Sequence, residues 1–322
     1  MNKLKACFLF IIFAAVAVLG EPETVPDYDI DLRDYRPFGS RTKVALLEQK
    51  SKLKMKMDLP MLDGALALYP VYSAFARAVY PERDYGFYES KSAVRCTNTR
   101  TAYQNLIAGY ADIIFVMPPS KEQIAMAKKA NVTFRYTPIG KEAFVFFVNS
   151  QNPVSNLTVK QIQGIYSERI VNWREVGGKN ERIRAFQRNE NSGSQTAFVA
   201  FMKGLSIMAP PQDDVIHDMG SIIVRTSDYQ NHGNAIGFSF RYFVNEMVGT
   251  RGIKILEVNG VYPEQKTITN STYPISNELF AITLESNDKP NVHKLLEWII
   301  SEQGQYLVGK TGYSPITEFD KK

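Results

Sequence analysis

The sequence predicts an α/β architecture, on three observations. Short apolar runs alternate with amphipathic stretches over most of the chain. Several of these runs end in a polar or glycine-containing turn that leads into a helix-like pattern. The chain has 322 residues, enough for two domains whose cores form without disulfide staples. Strands alternating with helices argue for sheets that are largely parallel.

The first twenty residues stand apart. Lys3 and Lys5 form a basic start, 7–19 is an uninterrupted apolar run, and Val18-Leu19-Gly20 precedes the acidic Glu21-Pro22-Glu23. This is the pattern of a secretory signal peptide. Retention as an N-terminal anchor is the alternative, but the run falls short of the about 20 residues that a bilayer core needs. Cys7 lies before the apolar stretch, where lipidation is not expected. Residues 21–57 read as a leader, acidic over 27–34 and basic over 50–56; a spacer and a strap around the domain surface fit it equally.

From residue 58 the elements follow in order. Residues 59–65 read as a strand ending in a tight turn, and 66–79 as a helix, with Pro70 placing its start near Ala67. Residues 93–96 are a short strand candidate, and Asn98 opens a helix through Ile107. Residues 112–117 form an apolar strand, and 121–130 a helix with Ile124 and Ala127 on one face. Residues 144–148 are strongly apolar. A helix over 158–166 has Thr158 as its N-cap. Strands at 183–186, 236–240, 253–258 and 279–283, a helix from Ser194 to Met202 and another over 291–300 complete the pattern. No internal repeat or low-complexity tract is present.

Charge excludes some functions. Removing Lys3 and Lys5 lowers the net charge from +5 to +3, a weak bias towards anions and not a nucleic-acid-binding balance. Once 1–20 is removed, Cys96 is the one remaining thiol and cannot form an internal disulfide; it reads as a small core residue. His217, His232 and His293 have no metal-ligand spacing, so no metal or cofactor is expected. No Gly-x-Ser-x-Gly elbow accompanies Ser192, and Gly64, Gly193 and Gly237 make no nucleotide-binding loop. A hydrolase is the weakest of the readings considered. Three glycosylation tripeptides, at Asn131, Asn156 and Asn270, matter only in a glycosylating host.

Three turns share one chemistry: Asp63-Gly64-Ala65-Leu66-Ala67, Asn98-Thr99-Arg100-Thr101 and Asn191-Ser192-Gly193-Ser194. Each places a helix start after a strand. A helix N-terminus presents N–H groups without internal partners and the positive end of the macrodipole, which together attract an anion. Arg188 precedes Ser192 by four residues and can supply a two-pronged, charge-assisted contact to an oxyanion.

With those residues in view, the sequence resembles the phosphate-binding proteins of ABC transporters, in the periplasmic binding protein superfamily, type II. The resemblance spans roughly 58–315. It is carried by Leu62-Asp63-Gly64-Ala65, Leu68-Tyr69-Pro70, Ala111-Asp112-Ile113-Ile114-Phe115, Phe144-Val145-Phe146-Phe147-Val148-Asn149, Asn152-Pro153-Val154, Ile170-Val171-Asn172-Trp173, Val176-Gly177-Gly178, Arg188 to Ser194, Gly304-Gln305 and Gly312-Tyr313. It implies two α/β lobes, each a mixed sheet flanked by helices, joined by crossing strands with the ligand between them. Lobe one is expected over 58–143 and 245–322 and lobe two over 144–244, with 144–148 and 236–240 as the crossing strands.

The resemblance also implies the site: backbone N–H groups at Ala65, Leu66 and Ala67, the Thr99 hydroxyl, and Arg188 with Ser192, Gly193 and Ser194. Two positions depart from the family pattern. Leu66 and Ala67 stand where the family offers a hydroxyl, and Met117 stands where it places a carboxylate that accepts a hydrogen bond from protonated phosphate. Asp112 is the residue that could stand in for that carboxylate, although supporting the strand end is the simpler role. The expected function is capture of a small oxyanion, phosphate foremost, by a secreted monomer that passes it to an ABC permease and does no chemistry on it. A sensor or surface binding module of the same fold without a permease, and a retuned cleft with another ligand, are the alternatives.

Overall fold

The computed structural model describes residues 30–227 and 232–316; the expected signal peptide at 1–20 lies outside them. In chain order the first elements are β1 (Leu62–Gly64), α1 (Tyr69–Val79), α2 (Thr99–Ile107), β2 (Ile113–Val116), α3 (Lys121–Lys129) and β3 (Phe134–Asn149). Next come β4 (Asn156–Leu157), α4 (Val159–Tyr166), β5 (Arg184–Ala185), β6 (Gln187–Arg188), α5 (Gly193–Phe201), β7 (Val215–Ile216), α6 (Met219–Ser227) and β8 (Ala235–Phe240). The described chain ends with β9 (Ile253–Ile255), β10 (Glu257–Val258), α7 (Gln265–Thr269), β11 (Ser276–Leu284), α8 (Pro290–Ile299) and α9 (Glu302–Thr311).

The 16-residue β3 organises both lobes. Its first part pairs antiparallel with β11, and its last part pairs antiparallel with β8 and β9. The strand order is β1-β2-β11-β3-β8-β5, with β9 also on β3. The sheet is therefore mixed: β1 runs parallel to β2 and β5 to β8, while every partner of β3 is antiparallel. This corrects the expectation of largely parallel sheets. The first half of β3 carries Pro138 and Gly140 among polar residues, which hides it as a strand. Pro138 has no N–H to give a ladder, and it stands where the register with β11 shifts between Leu279 and Phe280, the place a bulge tolerates it.

Two aromatic clusters hold the halves. Around β2, Tyr72 stacks on Phe115 at 4.8 Å, and Phe75 meets Trp298 edge-on at 6.1 Å. Around the far part of β3, Phe198 stacks on Phe238 at 4.6 Å, with Phe146 and Tyr166 against the same ring. Gly64 permits the close packing of β1 on β2, since a Cβ there would come within 2.5 Å of the Phe115 carbonyl oxygen.

Several expectations change in detail. The strand at 93–96 is only a bridge between Val94 and Leu62. Ile124 is exposed, and the buried face of α3 carries Gln123 and Ala127. β9 pairs with the last residues of β3, and β10 pairs with β4. α6 was not foreseen: Ile222-Ile223-Val224 reads as strand by its β-branched side chains. Asp218 caps that helix by accepting from the Ser221 N–H at 2.6 Å. α9 was missed as well. The described part of the leader is tied to α1 and α9: Met55 donates its N–H to the Val79 carbonyl, and Gln303 bonds to both Lys50 and Lys52.

Glu142 lies on β3 where the strand passes from one half of the sheet to the other, and it is 1% exposed. It accepts from the N–H groups of Ala143 at 2.8 Å and Tyr242 at 3.2 Å. Burial raises its carboxyl from 4.5 to about 7, against a lowering pull from Arg241. A raised folded-state value means that the native protein holds this proton more tightly than the unfolded chain. The stabilisation is complete below pH 4.5 and is lost as pH rises through about 7. Chemical denaturation from pH 4.5 to 8 should show a loss of roughly 3 kcal/mol from this group, and Glu142→Gln should remove that slope whatever it does to absolute stability.

Candidate functional site

The three turns are built differently. After β1 the chain enters a short 3-10 turn, Leu66–Leu68, and then α1, with Pro70 in its first turn. Ala65 is not a free donor, because its N–H bonds the Phe115 carbonyl at 2.9 Å. That removes it from the predicted donor set and leaves the N–H groups of Leu66 and Ala67 at the head of the turn.

In the second turn Asn98 caps α2 by accepting from the Thr101 N–H at 2.9 Å, and Thr99 is the first helical residue, 7% exposed. Asp63, fully buried, ties the first two turns together. Its carboxylate accepts from the Thr97 N–H and hydroxyl, both at 3.0 Å, from Asn105 Nδ2 at 2.7 Å, and from the Gly64 N–H at 2.8 Å. Arg95 stands 3.9 Å away. Acceptance by several donors is what makes a buried carboxylate tolerable.

In the third turn Arg188 ends β6, and Ser192 caps α5 by accepting from the Gln195 N–H at 3.2 Å. The Arg188 side chain is buried and aimed by carbonyls: Nε donates to Ile216 at 2.9 Å and an NH2 nitrogen to His217 at 3.1 Å. Its NH1 reaches Ser194 Oγ at 3.4 Å. Gln195 locks the strand to the helix, accepting from the Arg188 N–H at 2.9 Å and donating to Gln187 at 3.1 Å. Two hydroxyls remain able to donate outwards: Ser192 Oγ accepts from an amide and Ser194 Oγ from a guanidinium, so each O–H proton is available to a guest.

The turns meet. A Cβ added to Gly193 would lie 2.9 Å from Thr99 Oγ1 and 3.5 Å from Met117 Cγ. Thr99 and Met117 come from the β1–β2 side of the molecule, and Gly193, Ser194 and Arg188 from the far side of β3. Met117 is buried at the end of β2, where its carbonyl accepts from the Tyr103 hydroxyl at 2.8 Å. Asp112 stands at the other end of the same strand. There it accepts from the Met61 N–H at 2.9 Å and pairs with Lys289 at 2.8 Å, so it is not among the grouped residues. Among the described residues no group of three or more His, Cys, Asp or Glu stands together.

Sequence reasoning missed the polar contacts that cross the gap. Asn191, at φ 64, reaches the start of α3, where Ser120 Oγ donates to its Oδ1 at 2.7 Å. The two residues are 71 positions apart, and no local pattern reports such a pair.

Residues 62–303 match the family model described as the PBP superfamily domain. The chain is 24% identical over 260 residues to the phosphate-binding protein PstS of Bacillus subtilis, covering 80% of each. It is 26% identical over 200 residues to the phosphate-binding protein PstS of Borreliella burgdorferi, covering 60% of this chain and 68% of the relative. An ABC-type phosphate transport receptor from Vibrio cholerae superposes with a TM-score of 0.57 at 20% identity, covering 79% of this chain and 98% of the other. A phosphate-binding protein from Stenotrophomonas maltophilia gives 0.56 at 12% identity, covering 80% and 91%. At these identities the solved structures establish the fold. No helix among the described residues is long and apolar enough to cross a membrane.

Gly193→Ala tests the contact. The added methyl meets Thr99 Oγ1 and Met117, so the halves should be held apart while each keeps its fold. Small-angle scattering should show a larger radius of gyration in the closed condition, with a melting midpoint within a few degrees of the parent.

Proposed function

The chain belongs to the PBP superfamily, and on that footing we propose that it is an extracytoplasmic solute-binding protein that captures a small oxyanion, phosphate foremost, between its lobes. One observation carries the reading: Gly193 of one lobe abuts Thr99 and Met117 of the other, beside a buried guanidinium. The similarity to proteins named phosphate-binding protein PstS supports phosphate as the guest.

The donors are the N–H groups of Leu66 and Ala67, the Thr99 hydroxyl, the hydroxyls of Ser192 and Ser194, the N–H groups at the start of α5, and Arg188. They come from both lobes, so an anion that touches all of them favours the closed form over the open one. Lobe two takes 144–258, and lobe one takes 58–143 with the chain from 265 onwards. The protein acts as a monomer, reaches its compartment through the 1–20 signal and hands its ligand to an ABC permease. It performs no reaction, since the donor set binds a guest without supplying a nucleophile with its base.

Met117 bears on selectivity. A thioether is a poor acceptor for the hydrogen bond that a protonated phosphate donates to a carboxylate, and it does not repel sulfate. This favours a second reading, a cleft retuned to a fully ionised anion.

Calorimetric titration with phosphate, sulfate, arsenate and molybdate between pH 5 and 8 decides the matter. Phosphate and arsenate should bind, and Arg188→Ala should weaken both by about a hundredfold or more. Met117→Asp should raise the preference for phosphate over sulfate by roughly ten- to a hundredfold. Tighter sulfate or molybdate binding by the parent selects the retuned cleft. Silence towards all four anions sinks the capture reading.

A further inference from the structure

Asn191 holds a left-handed backbone, φ 64, in the turn before Ser192. Glycine adopts that conformation at less cost, so an asparagine there brings a side chain that something else must use. Its carboxamide spans the gap between the lobes. The oxygen accepts from Ser120 Oγ at 2.7 Å, and Nδ2 donates to the Glu122 carboxylate. The Asn191 backbone carbonyl accepts from Gln123 Nε2 at 3.5 Å. All three partners belong to the start of α3: Ser120 is its N-cap, and Glu122 and Gln123 are in its first turn.

The contacts continue on the lobe-one side. Glu122 Oε1 lies 3.8 Å from the Arg100 guanidinium, and Arg100 follows Thr99 at the start of α2. An unbroken series therefore joins the helix of Thr99, through Glu122 and Asn191, to the Ser192-Gly193-Ser194 turn. The Glu122 carboxylate is engaged by Asn191 Nδ2 and faces Arg100, so its partners are the residue that opens the opposing turn and the start of α2. These groups come from opposite sides of β3: Glu122 and Arg100 from the β1–β2 side, and Asn191 from the far side.

We infer that Asn191 and Glu122, seated by Ser120, form a latch that holds the closed state and slows release of the guest. They are positioning residues: they act through the Ser192-Gly193-Ser194 turn and touch no ligand. Glu122 and Arg100 are more than half exposed, so salt screens the charged part of the latch and its strength falls at high ionic strength. The inference deepens the anion-capture reading and rests on it for its kinetic test alone.

The test uses the full-length mature protein and the variants Asn191→Gly, Glu122→Ala and the double variant. Glycine keeps the left-handed turn, and alanine keeps the helix, so the fold is retained; Ser120 is left alone because it caps α3. Stopped-flow release of inorganic phosphate should speed up about tenfold in each single variant, with the association rate little changed. The double variant should release no faster than the faster single one, because both changes remove the same bond. Unchanged release rates, or effects that multiply in the double variant, overturn the latch. Interlobe distances from paired spin labels supply a readout without ligand. Each variant should lower the closed fraction relative to the parent, and an unchanged closed fraction overturns the latch even if the parent binds no phosphate.

Discussion

The contact between Gly193 and the pair Thr99 and Met117 is the constraint on which the rest depends. A helix start attracts an anion weakly by itself, because water competes for every N–H. Two such starts that face one another would compete better, since a guest between them would meet donors already in place. The facing arrangement requires a close approach that a side chain at 193 would obstruct. It also requires a common frame, and β3 supplies one: a single strand pairs with β11 on one side of the crossing and with β8 and β9 on the other. Displacement of one lobe relative to the other must bend this strand near Glu142, whose carboxylate bonds Tyr242 of the segment after β8.

The wiring around the site divides the labour among polar residues. Asp63 gathers Thr97, Asn105 and its own neighbour Gly64, and so fixes where Thr99 begins its helix. Gln195 does the same for Arg188, joining β6 to α5 from behind. Asp112 holds the opposite end of β2 through Lys289 and the Met61 N–H. None of the three is required to touch a guest. Each keeps a donor-bearing turn at a set distance from its neighbours, which a rigid binding site needs.

Much of this was legible in the residues. The helix opened by Asn98, the N-cap at Thr158 and the helix after the Ser192-Gly193-Ser194 turn were readable because caps and turns are local: a side chain bonds an amide two or three positions ahead. Met117 at the end of β2 followed from counting along an apolar strand. Failures occurred where a local signal met a tertiary demand. The first half of β3, with Pro138 and Gly140 among polar residues, carries no local strand pattern, yet pairing with β11 made it a strand with a register shift. The strand at 93–96 shrank to one bridge because its pairing partner, β1, is three residues long. Ala65 was counted as a donor until the sheet claimed its N–H.

The sequence by itself determined the alternation of elements, the superfamily and the three polar turns before helices. Those properties reside in patterns a few residues long, where periodicity, caps and turn chemistry act. Only the tertiary structure decided how those turns are held: that Arg188 bonds the carbonyls of Ile216 and His217, that Asp112 pairs with Lys289, that Gln303 bonds Lys50 and Lys52, and that Asn191 reaches α3. The physical reason is range. Hydrogen bonds and close packing between residues tens of positions apart depend on how two lobes meet, and that geometry is a property of the assembled sheet, not of any window of the chain.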